Sequence, residues 1–463
     1  MLKSVWRILQ NWALALVPRS VHQRLKERPY LHRIANNTAW RYADQALRMG
    51  LGFLVGTYVA RYLGPDQYGL LNFALAMVSV MGAMSSLGLD TVVIKYLSQE
   101  PENANSILGS SFVMRLLSGC LGLSAAVVLA LATRAAGSND RWVLIIVGSS
   151  LLFQGFDTID QWFQSRLESK FTVRVKALPY VVCSLVKAGL VLAQASVVAF
   201  AIVGVAEGLL GAFGLVLAYN RQGRRLRDWR ATLKRSMSLL NESWPLVITG
   251  FALHVQARID QLLLGQMLGN HELGLYSAAV RVAEVFNFIP VVVVTSLFPA
   301  MLTTWKQDPV LANRRLLDLY RLMTWITLGI ALPVSIFARP ILSLLYGTRF
   351  AGAEGILALF VWSRLFTAFG MARGVVIAAE SRFRFSMVAA LAGSITNVGL
   401  NLLLIPRFGA IGSVVAMMVS FALTIFGIDL IYTPMRANFF AMIQGMITFP
   451  RLVSALWRQD KSS

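Results

Sequence analysis

Apolar runs of about 20 residues recur from Trp40 to Tyr432, separated by polar turns that are mostly short. A run of that length crosses the roughly 30 Å hydrocarbon core of a bilayer as one α-helix. The pattern predicts an all-α, polytopic membrane protein with twelve spans. They are Trp40–Leu63, Gly69–Gly88, Ile107–Leu131, Trp142–Phe163, Ala177–Ser196, Val198–Tyr219, Pro245–Leu268, Leu275–Leu297, Tyr320–Phe337, Gly355–Ala379, Phe385–Ile405 and Gly409–Ile431. The fifth and sixth are nearly fused. The widest polar interruption, Asn220–Ser243, divides the spans six and six. The expected organisation is a basic segment 1–39, a first six-helix lobe 40–219, a basic linker 220–244, a second six-helix lobe 245–431 and a tail 432–463.

Two of the turns repeat each other. Residues 62–76 read YLGPDQYGLLNFALA and residues 267–281 read MLGNHELGLYSAAVR. Leu63, Gly64, Gly69, Leu70 and Ala74 match Leu268, Gly269, Gly274, Leu275 and Ala279 at a constant offset of 205. Each piece ends one apolar run and begins the next, and its glycines permit backbone conformations that other residues resist. The repeat predicts a duplicated bundle of two pseudo-symmetric lobes.

Composition agrees. The chain is 56% hydrophobic with a mean hydropathy of +0.62, and only 14% of its residues are charged, against about 25% in a soluble protein. A net charge of +21 would suggest nucleic acid in a soluble protein, but cytoplasmic loops of membrane proteins collect Lys and Arg. With the N-terminus inside, thirty basic residues fall on the inner side. Five fall outside: Arg134, Arg141, Arg339, Arg349 and Arg407. Both termini are therefore expected in the cytoplasm. The loop RQGRRLRDWRATLKR, residues 221–235, contributes most and reads as a topology determinant in contact with lipid headgroups. Residues 1–39 carry apolar positions at helical spacing (Trp6, Leu9, Ala13, Leu16) and no signal-peptide core, so an interfacial helix is expected there. The apolar patch Phe439–Phe449 is too short to span and is expected on the inner surface. Cys120 and Cys183 lie within apolar runs and imply neither a disulfide framework nor a metal site.

Eight cations remain inside the spans: Arg48, Arg61, Arg115, Lys187, Arg258, Arg281, Arg364 and Arg373. Each costs about 2.5–3.5 kcal/mol at a helix centre. Arg61 and Arg373 lie near helix ends, where they can snorkel to the interface. Asp44 precedes Arg48 by four residues, an ion-pair spacing. Arg281 and Glu284 share a stripe with Ser277 and Asn287. His254, Arg258 and Gln261 share one face of the seventh span, while Gln256 and Asp260 occupy another, which fits the wall of a water-filled cavity. Gln154, Asp157, Gln161 and Gln164 share a face of the fourth span. Acids deep in the spans are expected to be too few to pair every cation. A surplus of positive charge suggests an anionic substrate, and arginine's planar fork suits phosphate oxygens.

The motifs carry a resemblance. LGPxxYGL after the first span, DxxLLGxxLGxxxLGLYxxAxR from Asp260 to Arg281, SLFPAM at 296–301, LLYGTRF at 344–350 and NLLLIPRFGAIGS at 401–413 resemble the O-antigen (Wzx-type) polysaccharide-export flippases. That family belongs to the multidrug/oligosaccharidyl-lipid/polysaccharide exporter superfamily. The resemblance covers roughly residues 36–432. It implies two six-helix lobes around a central cavity built largely from spans 1, 2, 7 and 8. It implies transport of an undecaprenyl-pyrophosphate-linked oligosaccharide across the bacterial inner membrane for surface polysaccharide biosynthesis. It implies no cofactor, and a polysaccharide polymerase and glycosyltransferases as candidate partners. The role of a cationic cavity carries over to Arg48, Arg258, Arg281 and Arg364. Asp44, Asp260 and Glu284 are candidates for coupling to a proton or sodium gradient, or for structural pairing. Alternating access follows from two lobes and one site.

Three alternatives stay open. A cation or multidrug exporter of the same superfamily would favour acids in its cavity. A peptidoglycan-precursor flippase typically has fourteen spans rather than twelve. A membrane glycosyltransferase or acyltransferase needs acid/base residues on a large polar loop. Here the histidines number four (His22, His32, His254 and His271), and no outer loop is large.

Overall fold

The computed structural model describes residues 29–133 and 139–450. The expected interfacial helix before Pro29, Arg134 of the outer side and the end of the tail after Pro450 lie outside the described residues. In chain order the helices are α1 (Pro29–Ser85), α2 (Leu89–Gln99), α3 (Ala104–Thr133), α4 (Asn139–Gly148), α5 (Asp157–Ser165), α6 (Ser169–Leu192), α7 (Val197–Arg221) and α8 (Leu233–Met267). There follow α9 (Asn270–Val285), α10 (Phe288–Gln307), α11 (Pro309–Ile336), α12 (Ala338–Tyr346), α13 (Ala353–Phe360), α14 (Ser363–Ala379), α15 (Phe383–Ala422), α16 (Ile428–Ile431) and α17 (Arg436–Ile447). No strand occurs among the described residues.

Nine helical runs among the described residues are long and apolar enough to cross a membrane. Two of them, Ala43–Gln99 and Phe383–Ile431, contain breaks at Gly64 and Gly409, where the backbone leaves helical geometry. α8 is not among the nine, because His254, Gln256, Arg258, Asp260 and Gln261 make it too polar. The fifth and sixth runs, nearly fused in sequence, separate cleanly at Ala193–Ser196. The fourth is not a continuous α-helix. Its middle, Ser149–Phe156, is a 3₁₀ segment between α4 and α5. Within the polar interruption Asn220–Ser243, α8 already begins at Leu233.

Two compact units emerge. The first comprises Met1–Tyr62 and Met77–Gly250, the second Leu63–Ala76 and Phe251–Ser463. In the first unit, α2, α3, α5 and α7 share an apolar core around Leu89, Val93, Leu108, Phe163 and Tyr219. Arg115 is 1% exposed there and donates to Asp90 Oδ1 at 2.9 Å. Gln161 donates to the same oxygen at 2.7 Å.

The second unit explains the repeated turn. Gly64 (φ 72°, ψ 175°) and Gly269 (φ 89°, ψ −178°) adopt the same backbone geometry, open to glycine and strained for other residues. The two copies pack on each other reciprocally. A Cβ on Gly69 would overlap the Asn270 carbonyl, and a Cβ on Gly274 would overlap the Pro65 carbonyl. His271 Nδ1 meets Asp66 Oδ2 at 3.2 Å, a pair itself 205 residues apart. Equivalent positions therefore touch equivalent positions, as across a local two-fold axis. That contact accounts for Leu63–Ala76 belonging to the second unit.

At the other end of this unit, α17 packs on α11 with Met442 and Gly445 buried. Arg373 does not snorkel as its sequence position suggested. It is 5% exposed and donates twice to Asp429 Oδ1, at 2.9 and 2.5 Å. Asn438 donates to Asp429 Oδ2 at 2.8 Å, and Tyr320 donates to Asn438 Oδ1 at 2.8 Å. A carboxylate 56 residues away in sequence supplies what the interface was expected to supply.

Candidate functional site

Beside the Arg115–Asp90 and Arg373–Asp429 pairs, the candidate charged residues form one group in each unit. In the first unit Arg48 donates through Nε to Asp44 Oδ2 at 2.9 Å, the pair expected from their spacing. Its guanidinium also lies 3.9 Å from Glu207 and 4.7 Å over the Tyr180 ring. Glu207 in turn pairs with Lys187 at 3.3 Å. Lys176 bridges Asp157 and Asp160 at 2.8 and 3.1 Å. Arg48, Ser150, Gln154, Asp157, Lys176 and Glu207 line a cavity of about 220 Å³. The 3₁₀ segment aims Ser150 and Gln154 into it, and the buried Gln154 Oε1 accepts no hydrogen bond from the described residues. Here three cations meet four carboxylates, so Arg48 sits in an acid-rich network.

The second group is built on α8, α9 and α14. α8 and α9 run antiparallel out of the Gly269 turn, which sets Arg258 and Glu284 near each other on adjacent helices. Arg258 Nη1 lies 3.4 Å from Glu284 Oε1, each side chain about one-third exposed. Glu284 thus reaches across to Arg258 on the neighbouring helix. Asp260 is 1% exposed. It accepts from the Tyr276 hydroxyl and from the Gln261 N–H rather than from a guanidinium. Gln256 is buried and donates to Thr424 Oγ1 at 3.1 Å. The second polar face of α8 therefore packs within the unit instead of lining water. Ser277 is buried, while Arg281 is exposed at the end of a buried stretch of α9.

Arg364 is the outlier. It stands just after a break in the tenth run at Val361–Trp362 and is 7% exposed. Its guanidinium donates to the neighbouring Ser363 hydroxyl at 2.8 and 3.2 Å and lies 4.8 Å over the Phe360 ring. The ionisable groups near enough to act on it are Glu284, Tyr276, Arg258 and Asp260. No carboxylate among the described residues comes within ion-pair distance of it.

The inventory corrects one expectation. Acids were expected to be too few, yet Arg48, Arg115, Lys187, Arg258 and Arg373 each pair with a carboxylate. The partners Asp90, Glu207 and Asp429 were missed. Glu207 had a legible signal, a lone carboxylate in an otherwise apolar run. Arg48 belongs to the first unit's network; Arg258, Arg281 and Arg364 belong to the second unit.

These features define a polytopic helical transporter. The fold is similar to that of the lipid II flippase MurJ in an inward closed conformation, with a TM-score of 0.68 at 14% identity over 91% of this chain and 99% of that one. The chain belongs to the polysaccharide biosynthesis protein family, which matches residues 34–305. It is similar to a probable low-salt glycan biosynthesis flippase of Haloferax volcanii, 22% identical over 81% of this chain and 78% of the relative. It is also similar to the succinoglycan biosynthesis transport protein ExoT of Rhizobium meliloti, 23% identical over 72% of this chain and 66% of the relative.

Proposed function

We propose that the protein is a flippase for an undecaprenyl-pyrophosphate-linked oligosaccharide, working by alternating access of two six-helix lobes. The observation that carries this reading is Arg364. A buried guanidinium without an anion is strongly disfavoured, and a transporter that cycles an anionic headgroup needs such a group. Arg258 and Arg281 belong to the same unit, so three guanidiniums stand against Asp260 and Glu284. A pyrophosphate offers oxygens for bidentate recognition by each. The names of the relatives support a glycan carrier on a lipid or its polymer. Dividing the long runs at Gly64 and Gly409 and counting α8 gives twelve crossings, with both termini in the cytoplasm of a bacterial inner membrane. Of the three candidate acids, Asp260 is held by a hydroxyl and an amide, so we assign it the coupling ion. Asp44 and Glu284 serve as structural partners of Arg48 and Arg258.

The test is surface glycan measured alongside the abundance of the membrane protein. Arg364→Ala is expected to abolish export while the protein stays in the membrane. Arg364→Lys is expected to keep part of the activity, because charge survives and the fork is lost. Normal export by a well-expressed Arg364→Ala variant would defeat the reading.

A further inference from the structure

The basic segment 221–244 is folded within the first unit. Trp229 packs on the Tyr219 and Phe112 rings and donates to the Tyr219 hydroxyl at 3.1 Å. The Arg230 N–H donates to the Asn105 carbonyl, and the Thr232 N–H donates to Ser110 Oγ, both at 3.2 Å. Arg235 pairs with Glu100, and Lys95 with Glu242 at 2.6 Å. Leu239 and Ser243 are fully buried. One face of the first three turns of α8 (Arg235, Leu239, Glu242, Ser243) is thus fastened to the first unit.

The opposite face is apolar and open. Leu233 is 87% exposed, Met237 58% and Trp244 51%, with Leu240 half-buried between them. Steps of four, three and four residues place all four on one stripe. α8 has 35 residues, about 52 Å at 1.5 Å per residue. The part from Pro245 onward covers about 34 Å, enough for the hydrocarbon core. The stripe therefore lies beyond the core, at headgroup depth. Beside it the same segment exposes Arg221, Arg224, Arg225, Arg227, Arg230 and Lys234, against one carboxylate, Asp228.

We propose that this surface docks on the anionic phospholipid headgroups of the leaflet it faces. The Leu233–Trp244 stripe enters the boundary of the acyl chains, and the arginines engage phosphates. An apolar stripe flanked by cations is the pattern that binds such a surface. Acidic groups of a soluble partner would answer the arginines but not Leu233 and Met237, which call for an apolar phase beside the anions. Because the opposite face is stapled to α2 and α3, docking pins the first unit to the plane of the membrane. That this leaflet is the inner one rests on the proposed orientation. The experiment below uses vesicles with identical leaflets, so it neither depends on that orientation nor on the cargo.

Met237→Cys in the full chain, with Cys120→Ser and Cys183→Ala, carries an environment-sensitive dye. The protein is reconstituted in phosphatidylcholine vesicles, with and without phosphatidylglycerol, each containing lipid quenchers near the headgroup. A dye at Asp66→Cys serves as control. The proposal expects stronger quenching at position 237 with phosphatidylglycerol, reduced by high salt and by the Arg224→Gln, Arg225→Gln, Arg227→Gln triple variant. The Asp66→Cys dye is expected to be indifferent to lipid charge. Equal quenching at position 237 in both vesicles, no quenching in either, or a triple variant that behaves like the parent would overturn it.

Discussion

Arg364 and Arg373 lie nine residues apart on α14, and both are buried. Arg373 is closed within the chain: Asp429 accepts from it twice, and Asn438 and Tyr320 complete the network. Arg364 is left open, with a neighbouring hydroxyl and a ring in place of an anion. The same side chain thus serves two ends of one helix differently. A closed arginine holds helices together. An open one is costly to the folded protein, and the proposed function gives it an incoming anion.

Arg373→Ala leaves Asp429 buried and unpaired, and about 3–5 kcal/mol of stability should be lost. Most of the protein should then disappear from the membrane, and Asp429→Asn added to it should restore part of the level on an immunoblot. Arg373→Ala at wild-type abundance would show that the closed network is not structural. Next in size is the reciprocal turn, also closed within the chain. Gly69→Ala or Gly274→Ala drives a Cβ into a backbone carbonyl that cannot rotate away, at a cost of about 1–3 kcal/mol. Gly329→Ala, where a Cβ meets nothing within 4 Å, is the control and should leave the melting temperature unchanged or raise it. The exposed His271–Asp66 contact is worth less. Asp66→Ala should cost no more than about 1 kcal/mol in a thermal melt.

The smallest effect is one of pH. Hydrogen bonds from Arg235 and Asn103 hold the Glu100 carboxyl below its ordinary range. A group lowered on folding contributes stability above its unfolded value, and that contribution is lost as pH falls through the folded value. Acidification should therefore raise amide exchange around Arg235 in the parent. Glu100→Gln should already show that exchange at neutral pH.

Apolar spacing made the all-helical membrane fold legible, and the offset of 205 pointed to turns that the structure pairs. The Asp44–Arg48 contact was readable because an i, i+4 pair is local. Arg373–Asp429, Arg115–Asp90 and Arg258–Glu284 join different helices, and no local period reports them. The same limit hid Glu207, whose partners Arg48 and Lys187 come from two other helices. Arg364 was nominated for being a cation in an apolar run, a property it shared with Arg373. Only the packed structure separates the two.

The most direct test of an open Arg364 is ligand binding by the purified, reconstituted protein. Thermal unfolding is followed with and without a short polyprenyl diphosphate, for the parent, Arg364→Met and Arg281→Met. The diphosphate should raise the melting temperature of the parent, and Arg364→Met should lose most of that shift. Without ligand, Arg364→Met should melt no lower than the parent, since it removes a buried charge that no carboxylate among the described residues balances. An undiminished shift in Arg364→Met, or a steep loss of its stability without ligand, would contradict it.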